Sequence, residues 1–285
     1  MNTISVNQEQ CTKCMHCVKV CPAEIFVWDK EQKAVGIQRA EWCIECGHCV
    51  AACESDAVEH SCFGAEKVHP VNYSLYPAPE QMMEIIRGRR SNRAFSNKPI
   101  PSEILDTIVE AAYRSPTASN MQKLEFTLIT SPDKLKVLSD FTMNTFGGML
   151  KMLDNPLMKG ILKMAKPELL RYIPMFKEME EEYKKGNDGI LRNATAVLLI
   201  HTPKDCRFGE TDSNLAYQNA SLMAESMGVT QFYTGFVLNA TKQKKGKLEE
   251  LLNIDGTIHA GMAMALPLFR MKNYIDKKPL KLNRL

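Results

Sequence analysis

No apolar run in the sequence approaches the roughly 20 residues that a membrane-spanning helix needs. Stretches such as ATAVLLI at 194–200 end far sooner, so a membrane partner is not expected. The opening MNTISVNQEQ has neither a basic segment nor an apolar core. No secretory signal is therefore expected, and the cytoplasm is the expected location. Charge of one sign is also scarce: the formal net charge is only +3. Nucleic-acid binding usually needs a concentrated basic face, so nucleic acid is not an expected partner. The phosphate-binding GxGxxG is missing as well, which excludes a simple Rossmann reading. Ten cysteines are present, but eight fall in two tight runs, with Cys62 and Cys206 apart. A small secreted disulfide scaffold would not be followed by so long a core-forming sequence.

What remains is ordinary in bulk and specific in detail. The 285 residues suffice for one large domain or two smaller ones. A composition of 45% hydrophobic and 24% charged residues suits a soluble globular chain. The specific feature is CTKCMHCVKVCP at 11–22, repeated in spacing by CIECGHCVAACE at 43–54. Two-residue gaps wrap the backbone so that three thiolates can reach three corners of a cluster while backbone N–H groups face the sulfides. Structural zinc instead favours two CxxC pairs separated by a longer loop, and a CxxCxxC triplet does not suit one tetrahedral ion. Both runs resemble the ligand run of bacterial two-cluster ferredoxins, in which the fourth cysteine serves the other cluster. That resemblance covers about residues 3–60. It implies one [4Fe-4S] cluster on Cys11, Cys14, Cys17 and Cys53, and another on Cys43, Cys46, Cys49 and Cys21. Pro22 follows the first run, whereas Glu54 follows the second. His16 and His48 fit solvent-facing or supporting positions better than ligation. IFVWDKEQKAVGIQ reads as a hairpin between the halves.

Beyond residue 60, proline-bearing sequence at 61–79 reads as a linker. A helix is expected from Pro79 to Gly88. A second is expected with Ser102 as N-cap and Ile104, Leu105, Ile108, Val109 and Ala112 as its buried stripe. SPTASN at 115–120 is turn-rich. LEFTLIT at 124–130 and TAVLLIHT at 195–202 read as strands, the latter central. A helix begins at Asp133. Residues 141–190 hold seven of the seventeen methionines, and prolines break them into short helices. Met-rich surface suits adaptable apolar binding, and simple packing on the core accounts for it equally well. Asp212–Met227 reads as a helix closed by Gly228 in a left-handed conformation. VTQFYTGFV at 229–237 reads as a strand, 242–252 as a helix, and HAGMAMALPLF at 259–269 as the last strand.

Five motifs in this stretch, in order, resemble the nitroreductase-like flavoproteins. They are RRSNRAF at 89–95, SPTASNMQ at 115–122, LRNATAVLLI at 191–200, DSNLAYQNASLMAESMGVTQFYTGF at 212–236, and ALPLF followed by KKP near the end. The resemblance implies FMN. Its phosphate calls for fixed cations, to which arginine forks are well suited: Arg89, Arg93 and Lys277, with Arg90 as a further member and Ser91 donating a hydroxyl. The resemblance also implies that Pro116, Thr117, Ala118 and Asn120 complete the site across a dimer. Tyr233, Thr234 and Gly235 would meet the flavin ring. The sequence departs from the family where Lys123-Leu124 replaces Pro-Trp, Ala265-Leu266-Pro267 replaces Gly-Tyr-Pro, and Lys277 replaces an arginine.

The expected fold is thus α+β. A ferredoxin module at 1–60 and a linker at 61–79 precede a nitroreductase-like three-layer α/β/α domain at 80–285, with a helical insertion at 141–190. The expected function is a homodimeric FMN oxidoreductase of an anaerobe. It would draw single electrons from a soluble donor (a ferredoxin or a reductase) through two [4Fe-4S] clusters. Its acceptor would be a small electron-poor molecule: a nitroaromatic, a quinone or an activated alkene. The alternatives are an NAD(P)H-driven nitroreductase with the clusters as outlet, and an electron-transfer flavoprotein without a dedicated substrate. No side chain is marked as an evident general acid.

Overall fold

The computed structural model describes residues 3–165, 170 and 172–285. The chain divides into two compact units, Met1–Tyr76 with Ala118–Gln122, and Pro77–Thr117 with Lys123–Leu285.

The first unit is a doubled motif. Strand β1 (Ile4–Val6) pairs antiparallel with β4 (Val58–His60), and β2 (Phe26–Asp29) pairs antiparallel with β3 (Ala34–Ile37). The expected hairpin is therefore present. Its turn is held by Asp29 Oδ1, which accepts from the Glu31 and Gln32 amides at 2.8 and 3.0 Å. Two short helices, α1 (His16–Val20) and α2 (His48–Ala51), follow the repeat. Each is entered through a left-handed residue, Met15 at φ 68° and Gly47 at φ 73°. The buried core is small, comprising Cys17, Ile25, Phe26, Val35, Cys49 and Val58. Two of these six are cysteines, so the unit's interior is built around its candidate metal ligands.

The second unit is layered. Helices α3 (Pro79–Gly88) and α4 (Ser102–Tyr113) precede strand β5 (Glu125–Ile129) and helices α5 (Pro132–Leu153), α6 (Pro156–Ala165) and α7 (Tyr172–Lys184). Then follow β6 (Ala196–Thr202), α8 (Gly209–Ser226), β7 (Thr230–Tyr233), α9 (Gly235–Gln243), α10 (Lys247–Leu252) and β8 (Thr257–Ala265). The strands form one antiparallel sheet in the order β5-β6-β8-β7. Strand β6 is buried along its whole length, because both faces of the sheet are covered. Alternate residues point to opposite faces. Ala196, Leu198 and Ile200 pack with Leu105 and Ile108 of α4 and with Ala216, Ala220 and Ala224 of α8. Val197 and Leu199 pack on the other side with Leu138 and Phe141 of α5 and Val237 of α9. The alanines of α8 recur every fourth residue, which leaves one flat helical face free to approach the sheet closely.

Several boundaries depart from the expectations. Pro101, not Ser102, occupies the N-cap of α4; its fixed φ suits the extended entry. Helix α5 runs on for 22 residues into the Met-rich region. Thr142 and Thr145 donate back to the carbonyls of Leu138 and Phe141 at 2.7 and 2.8 Å, so its buried polar groups are satisfied without a break. Helix α8 begins at Gly209 rather than Asp212, and Gly228 follows it at φ 73°. The expected strand 229–237 stops at Tyr233. There the Thr234 amide pairs with Gly261 O, and Thr234 O accepts from Leu238 to start α9. The expected helix at 242–252 is split by Gly246 at φ 75°. Strand β8 ends at Ala265, ahead of Pro267. The segment at 61–79 carries 3-10 turns at Ala65–Lys67 and Tyr73–Leu75 before α3 begins. Among the described residues, no helix is long and apolar enough to cross a membrane.

Leu199 is fully buried on the α5 face. Leu199→Ala should cost about 2–5 kcal/mol. The expected readout is a lower denaturant midpoint with an unchanged slope in unfolding followed by far-UV circular dichroism.

Candidate functional site

The eight run cysteines all belong to the first unit, and they interleave across the repeat. Cys17 feels Cys11 and Cys53, while Cys49 feels Cys46, Cys21 and Cys43. Cys21, Cys43, Cys46 and Cys49 line one small cavity. Backbone amides point at sulfur in matching places: Ile25 N–H donates to Cys21 Sγ at 3.4 Å and Ala57 N–H to Cys53 Sγ at 3.2 Å. Glu45 N–H also donates to Cys43 Sγ at 3.4 Å. Among the described residues, no three His, Cys, Asp or Glu side chains close on a single metal ion. A four-thiol cavity of this kind, with N–H donors at sulfur, fits an iron–sulfur cluster better than zinc.

Burial pushes the Cys17 and Cys43 thiols up and lifts Cys49 to about 11. Such thiols hold their protons until a metal displaces them. Cys62 and Cys206 are free and half-buried.

In the second unit, a cavity of about 640 Å³ brings together Arg93, Tyr233, Thr234 and Gly235. Arg93 stands over the Phe232 ring at 5.2 Å, and its Nη1 donates to Ser91 O at 3.2 Å. Thr234 Oγ1 is buried and finds no hydrogen-bond partner among the described residues. It can sit there because Gly261 lacks a Cβ, which would collide with this oxygen. Gly235 is the first residue of α9, and a Cβ on it would meet nothing within 4 Å. The first amides of that helix have no acceptor within the helix. Arg93 and the helix start at Gly235 therefore border one open space, and a polar, phosphorylated ligand with a flat ring fits this set.

The other FMN candidates are dispersed. Arg89 lies near Tyr217 and Glu225, whose pKa values burial raises and Arg89 opposes. Arg90 donates through Nη2 to Ile275 O at 2.9 Å, which ties down the C-terminal tail. Ser91 and Lys277 are exposed. Pro116 is exposed and Thr117 half-buried, both in the second unit. Ala118 and Asn120 belong to the first unit, where Asn120 Nδ2 donates to Ile44 O at 3.1 Å and Glu45 O at 2.8 Å.

Several cavity residues carry no sequence signal of their own. Met149, Tyr172, Met175 and Phe176 of the Met-rich region, together with Arg192, Phe236 and Asn239, form its walls. The rings of Phe146, Phe176 and Phe236 pack at 4.9–6.4 Å. Only the methionine enrichment of 141–190 hinted at them.

Behind Tyr233 lies a polar network. Tyr233 OH donates to Asn214 Oδ1 at 2.9 Å, Tyr217 OH to Gln231 Oε1 at 2.8 Å, and Gln231 Nε2 to Ser221 Oγ at 2.7 Å. Burial raises the Tyr233 pKa, so its phenol stays protonated.

The Nitroreductase family profile matches residues 86–266, and that of the 4Fe-4S dicluster domain matches residues 10–58. The chain belongs to the nitroreductase family. Iodotyrosine deiodinase 1 of Rattus norvegicus is 29% identical over 84 residues, 27% of each chain. This chain thus spans about a quarter of the rat protein's length. The FMN reductase (NADPH) of Bacillus subtilis is 26% identical over 204 residues, 69% of this chain and 68% of that one. A nitroreductase structure with bound FMN from Desulfitobacterium hafniense matches at TM-score 0.54 and 15% identity, over 71% of this chain and 98% of that one. That likeness bears on the fold.

A buried and a half-buried histidine set an acid limit on the second unit. His201 Nε2 lies 2.9 Å from Thr127 Oγ1, and His259 Nε2 lies 2.9 Å from Thr202 Oγ1. Burial lowers both pKa values, against the opposing charges of nearby glutamates. The folded state therefore binds fewer protons than the unfolded state below about pH 6.5. Thermal midpoints should hold above that pH and fall as pH drops from about 6.5 toward 5. His259→Gln should reduce the slope in the same scan.

Proposed function

We propose that this chain is an FMN-dependent oxidoreductase that takes single electrons through two [4Fe-4S] clusters and reduces a small electron-poor organic acceptor. The observation that carries the reading is the convergence of Arg93, Tyr233, Thr234 and the helix-opening Gly235 on one cavity. Bound FMN would supply the change from one-electron uptake to two-electron delivery. Arg89, Ser91 and Arg93 are assigned to its phosphate. Arg90 instead anchors the tail that carries Lys277. Tyr233, Thr234 and Gly235 are assigned to the ring, with the Gly235 amide as its donor. Met149, Met175 and Phe176 give the acceptor an apolar, adaptable wall, which suits nitroaromatics, quinones and activated alkenes. Tyr233 OH is committed to Asn214, so protons are assigned to solvent. Pro116 and Thr117 are assigned to the site of a partner subunit in a homodimer. Asn120, whose amide is engaged with Ile44 O and Glu45 O, is assigned to the cluster loop. The cytoplasm of an anaerobe is the proposed setting.

Anaerobic reduction of the holoprotein by reduced ferredoxin or dithionite should bleach the clusters first and the flavin second. Flavin that stays oxidised beside reduced clusters would refute this order. A second reading draws on the Bacillus subtilis relative, described as an NADPH enzyme: direct reduction of the flavin by a nicotinamide. Rapid mixing with NADPH favours it if the flavin reduces within turnover time and the clusters follow.

Arg93→Ala removes one charge-assisted contact to phosphate, worth about 1.5–3 kcal/mol. FMN binding, measured by fluorescence quenching, should weaken about tenfold to a hundredfold.

A further inference from the structure

His60 lies outside both cysteine runs and beyond the segment that the dicluster profile matches. It ends β4, where it pairs with Ile4, and it is 6% exposed. The Cys62 backbone N–H donates to its Nδ1 at 3.2 Å. A neutral imidazole that accepts at Nδ1 carries its proton on Nε2. That nitrogen lies 3.3 Å from Cys43 Sγ, so the contact is an N–H donated to sulfur. The ring is fixed from the side by Phe63, 4.8 Å away, and a Cβ on Gly47 would crowd Phe63 at 3.3 Å. From the other direction, Asn120 holds the carbonyls of Ile44 and Glu45, in the loop that joins Cys43 to Cys46.

The first half of the repeat has no equivalent. A shift of one repeat maps Cys43 onto Cys11 and His60 onto Trp28. Among the described residues, no side-chain donor reaches Cys11. The paired backbone donors at Cys21 and Cys53 are alike in the two halves and cannot separate them. One-electron reduction adds a negative charge to a cluster and its thiolates. An N–H donor at a thiolate stabilises that reduced form more than the oxidised form, which raises the reduction potential.

We propose that the Nε2–H of His60 tunes the cluster on Cys43, Cys46, Cys49 and Cys21, making it the easier of the two to reduce. An electron supplied by a one-electron reductant then settles on the second-run cluster in preference to the first. No bond forms or breaks in this step, and His60 keeps its proton. The proposal rests on the two-cluster reading, which iron analysis tests separately: eight irons per chain are required before any potential is compared.

The experiment is an EPR-monitored dithionite titration of the full chain, comparing the parent with His60→Phe, His60→Gln and Trp28→Phe. In His60→Phe, which keeps a buried ring beside Phe63, one midpoint should fall by about the equivalent of a tenfold change, about 59 mV for a one-electron couple. The other midpoint should stay. His60→Gln, which retains a side-chain N–H, should recover part of the shift, and Trp28→Phe should leave both midpoints in place. Equal shifts of both midpoints, or none in His60→Phe holding eight irons, would overturn the proposal. If His60→Phe loses iron, His60→Leu is titrated in its place. Loss of iron from both assigns His60 a purely structural role and likewise overturns it.

Discussion

Thiolate charge needs a compensating cation, and much of the first unit depends on that requirement. Its buried core has six members, of which Cys17 and Cys49 are two. Such a core buries little apolar surface for its length. Burial disfavours the anions of Cys17, Cys43 and Cys49 where they sit, Cys49 most clearly. Metal binding converts that cost into folding free energy, because the displaced protons and the metal–sulfur bonds exist only in the folded arrangement. The doubled strand pairs and the two left-handed helix entries are the backbone's means of presenting sulfur inward from both halves.

The second unit solves a different problem. A four-stranded sheet with helices on both faces has no solvent-facing side, so β6 as far as Ile200 and most of β8 are apolar on both faces. The polar chemistry of the cavity lies where the sheet stops. Strand β7 ends at Tyr233, the chain turns at Thr234, and α9 starts at Gly235 with its amides open. Gly261 on the neighbouring strand makes room for the Thr234 hydroxyl. The cavity is a consequence of that strand-to-helix turn, closed by aromatic and methionine side chains from α5 and α7.

The sequence made the candidate cluster ligands legible because their spacing is local: a cysteine every third residue needs no knowledge of the rest of the chain. The central strand and the alanine-faced helix were legible for a similar reason, since burial on both faces leaves a run of apolar residues. The strand drawn through residues 229–237 failed at Thr234. Alternation continues past that point, but the hydrogen bonds to Gly261 and from Leu238 turn the chain. The extent of α5 was missed because threonine and glycine weaken local helix preference, while packing and back-bonded hydroxyls sustain it.

By itself, the sequence determined the two cysteine runs and their repeated spacing, the family motifs and the layers of the larger unit. Those features depend on spacing along the chain or on periodic burial. Only the tertiary structure decided that Arg90 is committed to the tail, that Asn120 braces the loop between Cys43 and Cys46, and that the Met-rich helices wall the cavity beside Gly235. It also brought His60 to Cys43. These are contacts between residues far apart in sequence, set by how strands and helices pack, and no local pattern records them.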